Sequence, residues 1–298
     1  MIRRVMALPR RLRRIREDMG AGLPRALQPV LHFLATGIPG KSVYAVAREN
    51  ERLRAHLARR QGSGVEIWYS PEPGSWSDLS GIAPAPGKSL TLSWSRLANT
   101  GKNRSEGILL HLLARGFAVR RCLELGACAG LSARYLAMAP SVTEIVTVEG
   151  SPSLSTVAVE TLASLSNARV MNATFSQAID RLLETEQMGS FDFIFIDGHH
   201  ESRATLHYFD RLRPLISPGS VVVFDDVSWS EDMRTAWEQV THDVAFMHCL
   251  ALGNIGVCIA KTHSDSPRAQ PKVWDMEYLI PLAPVGSPWG WKRGSASC

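Results

Sequence analysis

The segment at residues 123–132, with the sequence LELGACAGLS, limits the possible folds more than any other part of this chain. A short apolar run meets two glycines there and passes into a helical pattern. Gly126 and Gly130 allow backbone N–H groups to approach a ligand closely, and the N-terminus of the following helix adds partial positive charge. Glu149 ends the next apolar run, where a carboxylate can hold ribose hydroxyls. The pattern predicts a nucleotide-like cofactor beside the end of a strand.

Strand-like and helix-like segments alternate through the middle of the chain. The predicted strands lie at residues 121–125, 144–148, 168–172, 191–196 and 221–224. The predicted helices lie at residues 105–115, 133–139, 153–165, 177–186 and 201–215. This alternation indicates an α/β fold with a parallel sheet and helices on both faces. Ligands of such sheets bind beyond the carboxyl ends of the strands.

Three carboxylates follow two of these strands. Asp197 ends the strand at residues 191–196, and Asp225 and Asp226 end the strand at residues 221–224. We expect them to converge on the cofactor cleft, because the carboxyl ends of parallel strands share one edge. Such a cluster repels itself unless a cation neutralises it, and Mg²⁺ prefers oxygen ligands. The alternative is that one of the adjacent aspartates only hydrogen-bonds to nearby backbone.

The glycine spacing indicates which cofactor is bound. A dinucleotide fingerprint has the form G-x-G-x-x-G, whereas this chain has E-x-G-x-x-x-G from Glu124 to Gly130. Residues 122–133 resemble motif I of the class I S-adenosylmethionine-dependent methyltransferases, in particular the catechol O-methyltransferase type. Residues 224–230 also resemble a bacterial methyltransferase-24-type group. The resemblance covers residues 98–262 and implies a Rossmann-like, doubly wound, mostly parallel seven-stranded sheet.

The resemblance also implies which residues contact the cofactor and a metal. S-adenosyl-L-methionine would be held by Glu124, Gly126, Ala127, Gly130, Ser132, Glu149, Gly150, Ser176, Gln177 and Asp197. Mg²⁺ would be held by Asp197, Asp225 and Asp226, although catechol-type relatives carry asparagine at the last of these positions. The implied catalytic residues are Asp197 and His200, with His200 at the position of the family's lysine base. A histidine can accept a hydroxyl proton near neutral pH, and His199 is the alternative candidate.

Two further stretches are candidates for contacts with the donor or the acceptor. Residues 100–104 correspond to a polar segment that closes over the donor in catechol-type relatives. Trp229 and Trp237 follow the acidic pair, and they either line an acceptor pocket or pack as ordinary aromatic residues.

The flanking regions differ in composition from the middle of the chain. Residues 1–64 are predicted to form a helical N-terminal extension, with seven arginines among the first sixteen residues. These arginines either contact an anionic membrane surface or RNA, or form a solvated terminus. Residues 65–97, rich in Gly, Ser and Pro, are predicted to be a linker or lid. The methyltransferase domain is predicted at residues 98–262, followed by a poorly ordered tail at residues 263–298.

Composition narrows the class of protein. Hydrophobic residues make up 45% of the chain and charged residues 20%, which excludes a disordered chain, and no apolar stretch is long enough to span a membrane. Five cysteines without a C-x-x-C pair predict reduced thiols and a cytoplasmic location. The net charge of +5 is concentrated at the N-terminus, so DNA is not an expected partner.

The combined expectation is transfer of a methyl group from S-adenosylmethionine to a hydroxyl of a small molecule or glycan, with Mg²⁺ assistance. One alternative is a metal-independent methyltransferase acting on nitrogen or RNA. The others are a nucleoside-binding module without catalysis and an NAD-binding protein. The oligomeric state does not follow from the sequence.

Overall fold

The structure is a computed structural model, and it describes residues 2–68 and 89–279 of the 298-residue chain. Much of the predicted linker or lid, residues 69–88, lies outside the described residues. Residues 280–298 of the predicted C-terminal tail lie outside them as well.

Ten α-helices and ten strands occur in the described part of the chain. The helices are α1 (Ile2–Gly20), α2 (Gln28–Thr36), α3 (Lys41–Ala58), α4 (Trp94–Thr100), α5 (Arg104–Gly116), α6 (Leu131–Ala137), α7 (Pro152–Leu162), α8 (Phe175–Thr185), α9 (Ser202–Leu212) and α10 (Glu231–Thr241). The strands are β1 (Val65–Trp68), β2 (Ser89–Leu92), β3 (Arg121–Leu125), β4 (Glu144–Glu149), β5 (Ala168–Asn172), β6 (Phe191–Ile196), β7 (Ile216–Phe224), β8 (Phe246–Leu252), β9 (Ile255–Ala260) and β10 (Lys272–Trp274).

The central sheet has eight strands in the order β10-β8-β9-β7-β6-β3-β4-β5, and β1 and β2 form a separate antiparallel pair. Strand β9 is antiparallel to both of its neighbours, whereas the other neighbouring pairs are parallel. The expected Rossmann-like, mostly parallel α/β fold is therefore confirmed. The expected number of seven strands is too small by one, because Lys272–Trp274 pairs with β8 and buries Trp274 at the sheet edge.

The strand sequences explain why this sheet is buried on both faces. Strand β6, with the sequence FDFIFI, places Phe193 and Phe195 on one face and Ile194 and Ile196 on the other, and all four are buried. Continuous apolar runs of this kind are typical of parallel strands that are covered by helices on both sides. Helices α8 and α9 cover one face, while α5 and α6 cover the other.

The N-terminal extension belongs to the same hydrophobic core as the sheet. Leu27 and Leu31 are fully buried and lie in one cluster with residues of α5 and with one face of the sheet. The last described residues also pack onto the core, because Leu279 is buried and the Tyr278 hydroxyl donates to Asp18 Oδ2 at 2.7 Å. The first and last described segments therefore pack against each other.

No helix within residues 2–68 and 89–279 combines the length and the hydrophobicity needed to cross a membrane.

Candidate active site

The loop after β3 is held tightly against the end of β6. Gly126 has a φ of +105°, and a Cβ atom at this position would lie 1.8 Å from the carbonyl oxygen of Asp197. The Asp197 amide also donates to the carbonyl of Leu125 at 2.9 Å. Only glycine fits this combination of left-handed backbone and close approach. The loop and the Asp197 carboxylate are thereby placed side by side.

Most backbone amides of this loop are used within the protein. The amides of Gly126 and Ala127 both donate to the Val148 carbonyl, at 3.0 and 2.9 Å. The Cys128 amide donates to Glu149 Oε2 at 2.8 Å. Gly130, with a φ of +78°, then begins α6 and lies against Ala158. The loop therefore positions Glu149, whose other oxygen accepts from the Ser151 amide.

Two buried glutamates flank the loop. Glu124 accepts hydrogen bonds from the hydroxyls of Thr147 and Ser132, yet burial raises its pKa to about 7. Its Oε1 atom is buried and has no hydrogen-bond partner among the described residues. Burial likewise raises the pKa of Glu149 to about 7, against the effect of its backbone hydrogen bonds. An unpaired carboxylate oxygen of this kind fits a ligand with an amino or hydroxyl donor.

The other predicted cofactor residues lie near the same strand ends. Gly150 directly follows β4, while Ser176 and Gln177 lie in the first turn of α8. The side chain of Gln177 accepts from the Thr174 amide and completes a capping box. This role explains why a glutamine occurs at that position. Contact between the Ser176–Gln177 pair and adenine stays a prediction.

The three aspartates converge as the sequence predicts. Strands β6 and β7 are paired so that Ile196 lies opposite Phe224, and the Asp225 amide donates to the Ile196 carbonyl at 3.0 Å. Asp197 and Asp225 therefore emerge next to each other, with Asp226 beside them. The Asp225 side chain is almost fully buried, and its Oδ1 atom has no partner within the described part of the chain.

Lys102 is a member of this cluster that sequence reasoning missed. Its Nζ atom contacts Asp225 Oδ2 and lies 3.6 Å from Asp197 Oδ2. The lysine comes from the turn between α4 and α5, far away in the chain. The polar segment at residues 100–104 was the available signal, since it was expected to close over the donor. The structure brings its lysine to the aspartates.

The pKa values of the cluster follow from burial and charge. Burial acts to lower the pKa of Lys102, but the charges of Asp197 and Asp225 outweigh it and raise this pKa well above its usual value. Burial, reinforced by the charge of Asp225, raises the pKa of Asp197. Burial opposes ionisation of Asp225 as well, but Lys102 outweighs it and lowers the pKa of Asp225. The ammonium and the Asp225 carboxylate therefore form the charged pair of the site.

His200 lies on the open side of the cluster. Its Nδ1 atom is 3.2 Å from Asp226 Oδ2, and its Nε2 atom is 4.0 Å from Asp197 Oδ1. His200 and Asp226 both have positive φ, at +35° and +54°. Such backbone conformations cost energy in residues with a Cβ atom, and they are enriched at functional sites. Asn254 holds Asp226 in place by donating to its Oδ1 atom.

His199 is directed away from the aspartates. Its Nδ1 atom and the hydroxyl of Tyr208 are 2.8 Å apart, and its ring lies 5.1 Å from that of Phe175. Burial lowers the pKa of His199 to about 4. This geometry favours His200 over His199 as the residue that faces a reacting hydroxyl.

The donor set fits a divalent cation. Asp197, His200 and Asp225 each offer a ligand atom, and these atoms all lie within 4.8 Å of one another. Asp226 stands close by, and the unpaired Oδ1 atom of Asp225 is an available ligand. The three carboxylates suit Mg²⁺ or Mn²⁺, which prefer oxygen ligands.

The two tryptophans after β7 have different environments. Trp229 is 42% exposed, near the acidic cluster in sequence. Trp237 packs against Gly256, where a Cβ atom would lie 2.4 Å from its ring, and it also contacts Phe224. Trp237 is therefore a packing residue, whereas Trp229 stays a candidate for the acceptor pocket.

Comparison with known proteins identifies the family. A family described as "Methyltransferase domain" matches residues 123–227. The catechol O-methyltransferase of Mycobacterium tuberculosis is 32% identical over 153 residues, which covers 51% of this chain and 68% of that protein. The chain belongs to the class I S-adenosylmethionine-dependent O-methyltransferase-like family. The segment that carries motif I and the three aspartates lies within the matched region.

A second curated relative agrees with this assignment, and a solved structure shares the fold. The catechol O-methyltransferase of Niastella koreensis is 32% identical over 126 residues, and the match covers 41% of this chain and 56% of that protein. The chain thus matches little more than half of that relative's length. An O-methyltransferase from Bacillus cereus, solved in complex with SAH, has the same fold with a TM-score of 0.51 at 20% identity, over 77% of this chain and 96% of that one.

Proposed function

We propose that this protein transfers the methyl group of S-adenosylmethionine to a hydroxyl of a small molecule or glycan, with the assistance of a divalent cation. The proposal is based mainly on one arrangement: beside the Gly126 loop, the structure brings together Asp197, His200, Asp225 and Asp226. A histidine and an acidic cluster that could hold a divalent cation therefore lie next to the expected donor site. The named activities of the relatives, on catechol and caffeoyl-CoA, support a hydroxyl acceptor.

The donor is already activated for the reaction. Its sulfonium supplies the methyl group and the leaving group, so the protein's main task is to hold the acceptor oxygen in line with the breaking carbon–sulfur bond. Glu149 would accept from the ribose hydroxyls, and its two hydrogen bonds to backbone amides keep it in position. The unpaired Oε1 atom of Glu124 would accept from the donor's amino group.

His200 would remove the proton of the acceptor hydroxyl. Its contact with Asp226 orients the ring and stabilises the imidazolium that forms. A divalent ion held by Asp197, Asp225 and Asp226 would lower the pKa of that hydroxyl. A hydroxyl needs its proton removed as it attacks, whereas a neutral amine can attack first and release its proton afterwards, so a base at this position suits an oxygen acceptor.

The test combines donor binding with turnover. We expect calorimetry to show binding of S-adenosylhomocysteine, and we expect labelled S-adenosylmethionine to methylate members of a panel of catechols, caffeoyl esters and sugars when Mg²⁺ is present. His200→Ala should lower kcat by about 100-fold and leave donor affinity unchanged. The exposed His263 supplies the matched control, His263→Ala.

Three outcomes would separate the parts of this proposal. Absence of donor binding by the purified protein would refute methyl transfer itself. Full turnover in the presence of a chelator would refute assistance by a divalent ion. An unchanged kcat in His200→Ala would refute its role as the base.

A further inference from the structure

The acidic cluster of Asp197, Asp225 and Asp226 already contains a positive charge of its own. The side chain of Lys102 is 11% exposed, its Nζ atom contacts Asp225 Oδ2, and Asp197 Oδ2 lies 3.6 Å away. Asp225 and Asp197 are two of the three residues that would hold a divalent ion. We propose that Lys102 is the resident cation of this site, and that a divalent ion binds only by displacing its ammonium group.

The backbone on both sides of Lys102 is held by hydrogen bonds. The guanidinium of Arg54, on α3, donates to the carbonyl oxygens of Ala98 at 2.6 Å and of Lys102 itself at 2.5 Å. Directly after Lys102, Asn103 and Glu106 form a capping box at the start of α5. The backbone of Lys102 is therefore fixed by a buried arginine and by a helix cap. This fixed backbone directs the side chain into the acidic cluster.

The ammonium and a divalent ion would both be held by the same two carboxylates, those of Asp225 and Asp197. Asp225 has two carboxylate oxygens: Lys102 contacts Oδ2, and Oδ1 has no partner among the described residues. A hard divalent ion binds carboxylate oxygens at about 2.1 Å. An ion bound to Asp225 and Asp197 would thus lie within a few ångströms of the Lys102 Nζ atom, and two cations repel strongly in a buried site. The two occupants therefore exclude each other unless the lysine side chain withdraws.

Displacement is feasible because a lysine carries its ammonium group on a flexible four-carbon side chain. Without a divalent ion, the Lys102 ammonium offsets one negative charge of the aspartates. The affinity of the site for the divalent ion is reduced by the free energy needed to move the lysine side chain. This role deepens the proposed function and rests on it, because it concerns the same acidic site.

The experiment measures metal affinity directly. Mn²⁺ is titrated into the full chain, and free Mn²⁺ is followed by electron paramagnetic resonance, for the wild type, Lys102→Met and Lys41→Met. Lys41 is exposed at the start of α3, so Lys41→Met removes one lysine charge outside the site. We expect Lys102→Met to bind Mn²⁺ at least ten times more tightly than the wild type, whereas Lys41→Met should match the wild type. Affinity in Lys102→Met that is equal to or weaker than that of the wild type would overturn the proposal.

Two further measurements keep the result interpretable. Calorimetric titration of S-adenosylhomocysteine reports on the donor site. Absence of binding by the wild type would count against the proposed function, but not against the displacement of Lys102. Reductive methylation of the wild type with formaldehyde needs no variant. We expect Lys102 to react slowly without a divalent ion and faster with saturating Mg²⁺, as measured by mass spectrometry. Equal reaction rates in the two conditions would also overturn displacement.

Discussion

At the scale of single residues, the site depends on backbone conformations that most side chains avoid. His199, His200 and Asp226 all have positive φ, which costs energy in residues with a Cβ atom. Such conformations persist where neighbouring contacts determine them. Here the contacts are the hydrogen bond between His199 and Tyr208 and the amide of Asn254 on Asp226.

A substitution of Gly126 tests whether the loop after β3 requires glycine at this position. In Gly126→Ala, the new Cβ atom would lie 1.8 Å from the Asp197 carbonyl oxygen, in a backbone with a φ of +105°. We expect the free energy of unfolding to fall by more than about 3 kcal/mol and binding of S-adenosylhomocysteine to be lost, because both the loop and Asp197 must move. Chemical denaturation and calorimetry measure the two effects.

The matched control for this substitution is Gly22→Ala. Gly22 has a φ of +99°, but a Cβ atom there would meet nothing within 4 Å. The control should lose only about 1 kcal/mol, the cost of the backbone conformation alone. Equal losses in the two variants would show that the contact with Asp197 is not the determining factor.

The residues of the site were predictable to different degrees. The convergence of Asp197, Asp225 and Asp226 followed from a rule about parallel sheets, since each ends a strand whose apolar pattern was clear. Lys102 could not be found in the same way, because a turn between two helices carries no periodicity that fixes its direction. Its contact with Asp225 depends on tertiary packing, including that of Arg54.

At the scale of elements, the central strands were the easiest part to predict. Strands β3, β5 and β6 begin and end at the predicted residues, because a short apolar run between two turns marks both ends of a strand. Strand β7 begins at Ile216, earlier than predicted, since its first residues contain a proline and a glycine. Strands β1, β2, β8, β9 and β10 were not located from the sequence, and β10 has only three residues at a sheet edge, with no pattern of their own.

Helices α5 and α6 are joined by a buried histidine that makes stability depend on pH. His111 is 2% exposed, and its Nδ1 atom donates to the Tyr135 carbonyl at 2.9 Å. Burial lowers the pKa of His111, and the charge of Arg115 adds to this effect. The unfolded chain therefore binds the proton more readily than the folded protein does. Neutral His111 therefore contributes fully to the free energy of unfolding above pH about 6.5, the pKa of a histidine in the unfolded chain. This contribution is lost as the pH falls below that value.

His111→Gln removes the titration while keeping a side-chain donor for the Tyr135 carbonyl. We expect the fall in unfolding free energy between pH 7 and pH 5 to be smaller in this variant than in the wild type, whereas stability at pH 7 should change by only about 1 kcal/mol. Urea denaturation at the two pH values measures both quantities. His263→Gln, at an exposed position, should keep the wild-type pH dependence. A pH dependence in His111→Gln identical to that of the wild type would contradict the assignment.

At the scale of the whole molecule, the N-terminal extension is part of the structure that forms the site. Leu27 and Leu31 lie in the same core cluster as one face of the sheet. Buried Arg134, on α6, contacts Glu49, on α3, and Lys272, on β10, donates to the Ala21 carbonyl. The prediction of separate segments at residues 1–64 and 263–298 described composition well, but composition does not show which surfaces are covered by other parts of the chain.

Arg54 links the extension to the chemistry of the site. Its side chain is 11% exposed, and it donates to the carbonyl oxygens of Ala98 and Lys102. In Arg54→Met the two carbonyls lose a charged donor, which should cost about 2–4 kcal/mol of unfolding free energy. The turn that carries Lys102 should also loosen, so reductive methylation of Lys102 should become faster in the folded variant. Arg52→Met, two residues earlier at an exposed position of α3, should change neither quantity. Loss of stability without faster reaction of Lys102 would mean that Arg54 supports only the packing of α3, and that the capping box of α5 alone holds the lysine among the aspartates.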